Sequence, residues 1–157
     1  MSRVGREVLG DWLIVFGAVW LFVSLFLTWS HEVSPALLRS PSGSSSLLQG
    51  VPHDPTAWQV YSDMDVVLTL VAVGLVAVAF IGRRSARIVV LIAAGIALAF
   101  AVHALSDPPT NFPNIYDPAR SMPGYAPDSP AAGVGETMAI VGLSLAIAGL
   151  VLSFTAE

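Results

Sequence analysis

The sequence predicts an all-α membrane protein, a single domain over residues 1–157 in which four transmembrane helices form a bundle. Of the 157 residues, 55% are hydrophobic and only 11% are charged, whereas soluble domains carry about 25% charged residues. The apolar residues are also grouped in blocks, each close to the roughly 20 residues that cross a hydrocarbon core. A bilayer is therefore expected to surround most of the surface.

Four apolar segments are long enough to be spans, and they are predicted at about 12–29, 65–81, 88–105 and 132–154. The first segment follows two arginines, so a signal peptide is the alternative. Its apolar run is longer than the usual apolar region of a signal peptide, and no Ala-x-Ala-like cleavage site follows it. An uncleaved membrane anchor is the preferred interpretation.

The placement of arginine predicts the orientation of the bundle. Five of the seven basic residues precede the first span or fill the short turn between the second and third spans: Arg3, Arg6, Arg83, Arg84 and Arg87. Only Arg39 and Arg120 fall in the other two loops. Since basic residues concentrate on the cytoplasmic side, both termini are expected in the cytoplasm of a bacterial inner membrane. The three arginines of the turn are also expected to suit anionic lipid head groups.

Two long loops, 30–64 and 106–131, are then expected outside the membrane. The first contains a serine-rich patch and leads through Trp58 and Tyr61 into the second span. The second holds seven of the eleven prolines, which exclude helix and central strand: Pro108, Pro109, Pro113, Pro118, Pro123, Pro127 and Pro130. Aromatic residues between these prolines predict an extended strap on an apolar surface. Trp29, Trp58 and Tyr61 suit an interfacial aromatic belt.

Small residues predict which helices pack together, because helices in lipid associate through close contact. The second, third and fourth spans carry such residues at three- or four-residue spacing, including Ala93, Ala97 and Ala101, with Gly95 and Ala99 on a neighbouring stripe. The first span is rich in large aromatic residues and is expected to face lipid. The sequence thus predicts a bundle built on spans two to four, although the same small faces suit helices of another subunit.

Three ionisable residues lie in or at the edge of the spans on the side of the long loops: Asp65, His103 and Glu136. Together they form a possible polar cluster that binds a cation or relays protons. Each also has a structural interpretation. Asp65 suits the start of a helix, and His103 has Asp107 one turn later. Glu136 lies in the first turns of the fourth span, where the helix dipole favours an anion.

Several classes of function are disfavoured. The chain has no cysteine, which removes disulfides, thiolate metal sites and dithiol chemistry. With one histidine in a span, two helices cannot ligate a haem through paired histidines. The His-Glu-x-x-His, Gly-x-Ser-x-Gly and Walker patterns are missing as well. We therefore predict no enzymatic activity, no catalytic residues, no cofactor or metal site, and no nucleic-acid partner.

Short motifs at the span junctions resemble those of small four-span membrane proteins of unknown function that are common in actinobacteria. The motifs are FLTW at the end of the first span, AWQVYSDMDVVLTL entering the second, the arginine turn, and LSDPP after the third. The resemblance covers these junctions rather than the whole chain. It implies a bacterial inner membrane and transfers no active-site residues.

Two functions follow as hypotheses. The first is a small accessory or structural subunit of a larger respiratory or cell-envelope complex, with membrane lipids and other membrane subunits as its partners. The helix faces lined with small residues and the two long loops offer contact surfaces, and the sequence shows no set of catalytic residues. These features favour the accessory subunit. The alternative is a small transporter or channel component that uses the outward-facing polar cluster.

Overall fold

The computed structural model describes residues 2–31, 56–61, 63–107 and 131–156. Its four long helices are α1 (Arg3–Ser24), α3 (Met64–Ile81), α4 (Arg84–Ser106) and α5 (Val134–Phe154). One helical turn, α2 (Ala57–Val60), precedes α3, and two short strands, β1 (Ser30–His31) and β2 (Ala131–Ala132), follow α1 and precede α5. All four long helices are apolar and long enough to cross a bilayer. This confirms the prediction of a mostly helical chain with four helices suited to a membrane.

The bounds of the second and fourth predicted spans agree with α3 and α5 to within two residues. The third helix begins at Arg84 rather than 88, since the arginines of the turn continue the helix. The predicted strap and most of both predicted loops lie outside the described residues. The two ends of the bundle are called here the loop end, where α1 ends and α5 begins, and the turn end, where Gly82 in the left-handed conformation separates α3 from α4.

α1 has other bounds than the first predicted span, 12–29. The helix begins at Arg3, where the Ser2 side chain accepts a hydrogen bond from the Gly5 N–H at 3.1 Å and satisfies one of the free donors of the first turn. It ends at Ser24, and the following residues turn back over the end of the helix. Residues 25–29 are apolar because Leu25 and Trp29 are buried in the bundle, and not because they continue the span.

The closest helix contact lies between α1 and α5, at four glycines that we call the glycine seam: Gly10, Gly17, Gly142 and Gly149. A Cβ atom on Gly149 would lie 2.6 Å from the Gly10 carbonyl oxygen, and one on Gly17 would overlap the Gly142 carbonyl oxygen. Because backbone atoms occupy this space, no side chain fits between the two helices.

The prediction that the first span faces lipid beside a bundle of spans two to four is therefore wrong. Trp12, Phe16 and Trp20 are exposed, as expected for lipid-facing residues, but Ile14, Ala18 and Leu21 on the opposite face of α1 are buried in the core. One face of α1 is aromatic and exposed, and the opposite face is buried against the other helices.

The small residues of α4 divide between two faces. Ala97 and Ala101 are buried, and Ala93 packs against the core, in agreement with their predicted role. The prediction that the neighbouring stripe packs inside the bundle is wrong. Gly95 and Ala99 are exposed, and nothing lies within 4 Å of a Cβ added to Gly95.

At the turn end, Arg87 forms an ion pair within the bundle. Its Nη2 atom lies 3.3 Å from Oδ1 of Asp11 in α1, and the two side chains are 3% and 32% exposed. Arg87 is thus unavailable to lipid head groups, and the prediction is wrong for this residue. Arg83 and Arg84 are exposed.

We expect Arg87→Gln to lower the free energy of unfolding by about 1–2 kcal/mol, between the values of exposed and fully buried ion pairs. Denaturant titration in a mild detergent measures the loss. Arg83→Gln removes the same charge from an exposed position and is the matched control. If both variants lose equal stability, or if Asp11→Asn adds its full effect to Arg87→Gln, the ion pair does not stabilise the bundle.

Candidate functional site

A closure of short backbone pairings covers the loop end of the bundle. β1 pairs antiparallel with β2, Ser30 opposite Ala132, and an isolated bridge joins Thr28 to Thr56. The Gly135 N–H donates to the Thr28 carbonyl oxygen at 2.7 Å. The chain leaving α1 is therefore bonded to the chain entering α5. This closure was not predicted, because strands of two residues have no detectable periodicity.

Trp29 lies at the centre of this closure. It is fully buried, and its Nε1–H donates to the Ser24 carbonyl oxygen at 2.8 Å. Its ring meets Tyr61 edge to face at 5.7 Å between centroids. A Cβ atom on Gly135 would lie 2.5 Å from the indole Cδ1, so the ring rests directly on the first turn of α5. The prediction that Trp29 belongs to an interfacial belt is wrong, whereas Trp58 is exposed beside Phe26.

Glu136 is the third residue of α5 and is completely buried. Neither carboxylate oxygen has a hydrogen-bond partner among the described residues. At this position of a helix a glutamate commonly accepts from the N–H of the capping residue. Here that residue is Gly133, and its N–H donates to the Trp29 carbonyl oxygen at 2.9 Å. This N–H is therefore engaged in the closure and makes no bond to Glu136 that meets hydrogen-bond geometry.

Ser30 is a second buried polar group without a partner at this end. Its side chain is fully buried, and its hydroxyl has no hydrogen-bond partner in the described part of the chain. Buried polar groups are paired in most proteins because an unpaired one costs about 1–3 kcal/mol. Two such groups, one in the closure and one in the helical turn that it covers, are therefore a candidate functional site. The signal in the sequence was a glutamate flanked by small residues at the start of a span.

Asp65 is buried as well, at 4% exposed, but its interactions are satisfied locally. Its Oδ1 atom accepts a hydrogen bond from the Val66 N–H at 2.7 Å in the first turn of α3. Asp63 precedes the helix as its capping residue, without a side-chain bond. The structural interpretation of Asp65, a carboxylate favoured by the start of a helix, fits this geometry.

His103 has no side-chain bond to either buried carboxyl group within the described residues. It is exposed on the same face as Gly95 and Ala99, so its predicted place on an internal packing stripe is wrong. Within the described ranges, His103 and Asp107 are joined only through the backbone, where the Asp107 N–H donates to the His103 carbonyl oxygen at 3.0 Å. No side-chain hydrogen bond or ion pair there joins these two residues or connects any two of Asp65, His103 and Glu136. No group of three His, Asp or Glu residues in those ranges is placed to hold a metal ion.

Tyr61 is the ionisable neighbour of Glu136 outside the spans. Burial raises the pKa of its phenol, and the negative charges of Asp107 and of Glu136, when it is ionised, raise it further. Its ring also contacts Phe100 of α4, with 5.2 Å between centroids. Tyr61 therefore remains neutral and places an aromatic surface between Trp29 and α4.

No family model, curated protein or solved structure matches this chain.

Proposed function

We propose that the protein is a small accessory or structural subunit of a larger complex in the bacterial inner membrane. The observation that carries this proposal is the exposed face of α4, where Gly95, Ala99 and His103 follow one another at four-residue spacing. The corresponding small residues of α5 are already used against α1. A small-residue face allows another helix to approach closely, and a histidine in lipid favours a polar partner.

The orientation and the membrane belong to the same proposal. We place both termini and the turn end in the cytoplasm, since five arginines lie at that end. Exposed Arg83 and Arg84 then lie near anionic head groups. The likeness of the span junctions to actinobacterial four-span proteins supports a bacterial inner membrane.

A photo-crosslinking residue in place of Ala99 tests the accessory role in cells at native abundance. We expect a discrete adduct with another membrane subunit, and loss of that adduct when Gly95 is replaced by leucine. The same residue in place of Val73, exposed on α3, is the control and is expected to label lipid. A chain that purifies alone as a monomer and gives no adduct from α4 would contradict the proposal.

The second candidate is a small transporter or channel component, favoured by the unpartnered carboxyl of Glu136. On this alternative, Glu136→Gln abolishes a proton or solute flux in proteoliposomes and leaves abundance unchanged, while Gly95→Leu leaves the flux intact. Loss of stability without loss of flux in the Glu136→Gln variant would instead assign the residue a structural role.

A further inference from the structure

We propose that Glu136 is a proton-binding site, closed by Trp29 and the β1–β2 pairing, that exchanges protons with the solution at the loop end. This inference goes beyond the proposed accessory role and does not depend on a partner subunit. Proton binding converts the carboxylate to a neutral carboxylic acid, the proton comes from the aqueous phase, and no other bond changes.

The burial of Glu136 determines which cation the site takes. An ionised carboxylate without a partner is strongly unfavourable in an apolar interior, and such groups become neutral instead. The side chain is 0% exposed, and the ring of Trp29 and the backbone of Thr28 lie against Gly135 and Gly133 at the start of its helix. A metal ion needs several oxygen ligands and the space to hold them. A proton needs neither.

The closure provides a route for exchange. It consists of a two-residue ladder, one isolated bridge and the bonds from Gly133 and Gly135 to the chain after α1. Pairings this short open at low cost compared with the helices. When they open, water reaches Glu136 together with the Ser30 hydroxyl, which is also buried without a partner among the described residues. Both orphaned groups are then hydrated, and Glu136 ionises.

The ionisable residues of the elements around the site do not stabilise an ionised Glu136. Tyr61 follows α2, Asp65 lies in α3, and His103 and Asp107 lie at the end of α4. β1 carries His31, and the part of α1 that follows Asp11 has no ionisable residue. Among the described residues, none of these groups donates a hydrogen bond to the Glu136 carboxyl, so its burial favours the neutral form. The closed state therefore holds Glu136 neutral and is lost as the pH rises through the titration of this group.

Infrared spectroscopy of the full chain in lipid nanodiscs tests the protonation directly. We expect the carbonyl stretch of a protonated carboxylic acid at neutral pH, its loss in Glu136→Gln and its retention in the matched control Asp65→Asn. Absence of the band at neutral pH, or its loss only in the control, would overturn the proposal. So would loss of the band when sodium replaces a bulky organic cation at constant pH, because the site would then bind sodium.

Cysteine labelling tests the coupling to the closure, since the chain contains no cysteine. Ala57 is fully buried beside the Thr28–Thr56 bridge, so an Ala57→Cys variant reacts with a maleimide only after opening. Relative to the same variant carrying Glu136→Gln, we expect its labelling to rise roughly tenfold per pH unit over the titration range. Glu136→Asp keeps a titratable group and is expected to keep the pH dependence, which provides a readout if the glutamine variant does not fold. Equal pH profiles with and without a carboxyl at this position would refute the coupling.

Discussion

Trp29→Ala is expected to lower the free energy of unfolding by about 3–5 kcal/mol, the range for removing a buried aromatic side chain from a core. The indole is fully buried on Gly135 and packs edge to face on Tyr61. Its Nε1–H is also the partner of the Ser24 carbonyl oxygen. The substitution removes both the packing and this hydrogen bond, and it leaves a cavity above Glu136. Denaturant titration of the purified protein in detergent measures the loss.

Two variants separate these contributions. Trp29→Phe keeps an aromatic ring but removes the indole donor to the Ser24 carbonyl oxygen. That oxygen still accepts from the Leu27 N–H at 3.2 Å, so we expect a loss of about 1 kcal/mol from the hydrogen bond. Trp58→Ala removes an indole that is 41% exposed beside Phe26, and we expect a loss of about 1 kcal/mol or less. Equal losses for Trp29→Ala and Trp58→Ala would mean that Trp29 is not the centre of the closure.

The number of helices and most of their bounds could be predicted from the sequence because the bilayer imposes a length and a composition on every span. α3 and α5 follow that rule closely. The end of the first helix was predicted too late in the sequence, because Leu25 and Trp29 are as apolar as lipid-facing residues although they pack into the bundle. The hydrophobicity of a residue indicates that it avoids water, but it does not distinguish burial in lipid from burial in protein.

The candidate site could be predicted only in part. Glu136 stood out as an ionisable residue in a span, but its lack of a partner depends on the Gly133 N–H, which bonds to the Trp29 carbonyl oxygen. That bond joins residues far apart in the sequence, so no local pattern reveals it. His103 shows the converse error. Four-residue spacing placed it on a face with Gly95 and Ala99 correctly, but spacing does not say whether a face points into the bundle.

Gly17→Ala is expected to lower the free energy of unfolding by about 2–3 kcal/mol, near the upper part of the range for overpacking. The added methyl group would overlap the Gly142 carbonyl oxygen and lie 2.6 Å from the Ala146 backbone nitrogen. A flexible side chain moves away from such a contact, but helix backbone moves only if α1 and α5 separate. Separation would also open the contacts along the rest of the glycine seam.

Gly95→Ala is the matched control for this prediction, because the same methyl group enters the middle of another long helix. Nothing lies within 4 Å of the new Cβ, and alanine favours helix over glycine by about 1 kcal/mol in water. Gly95→Ala is therefore expected to leave the stability of the isolated protein unchanged or raise it slightly. If the two variants behave alike in the same denaturant titration, helix propensity rather than close approach governs these glycines. Opposite signs would show that the α1–α5 contact, which the aromatic character of the first span concealed, holds the bundle together.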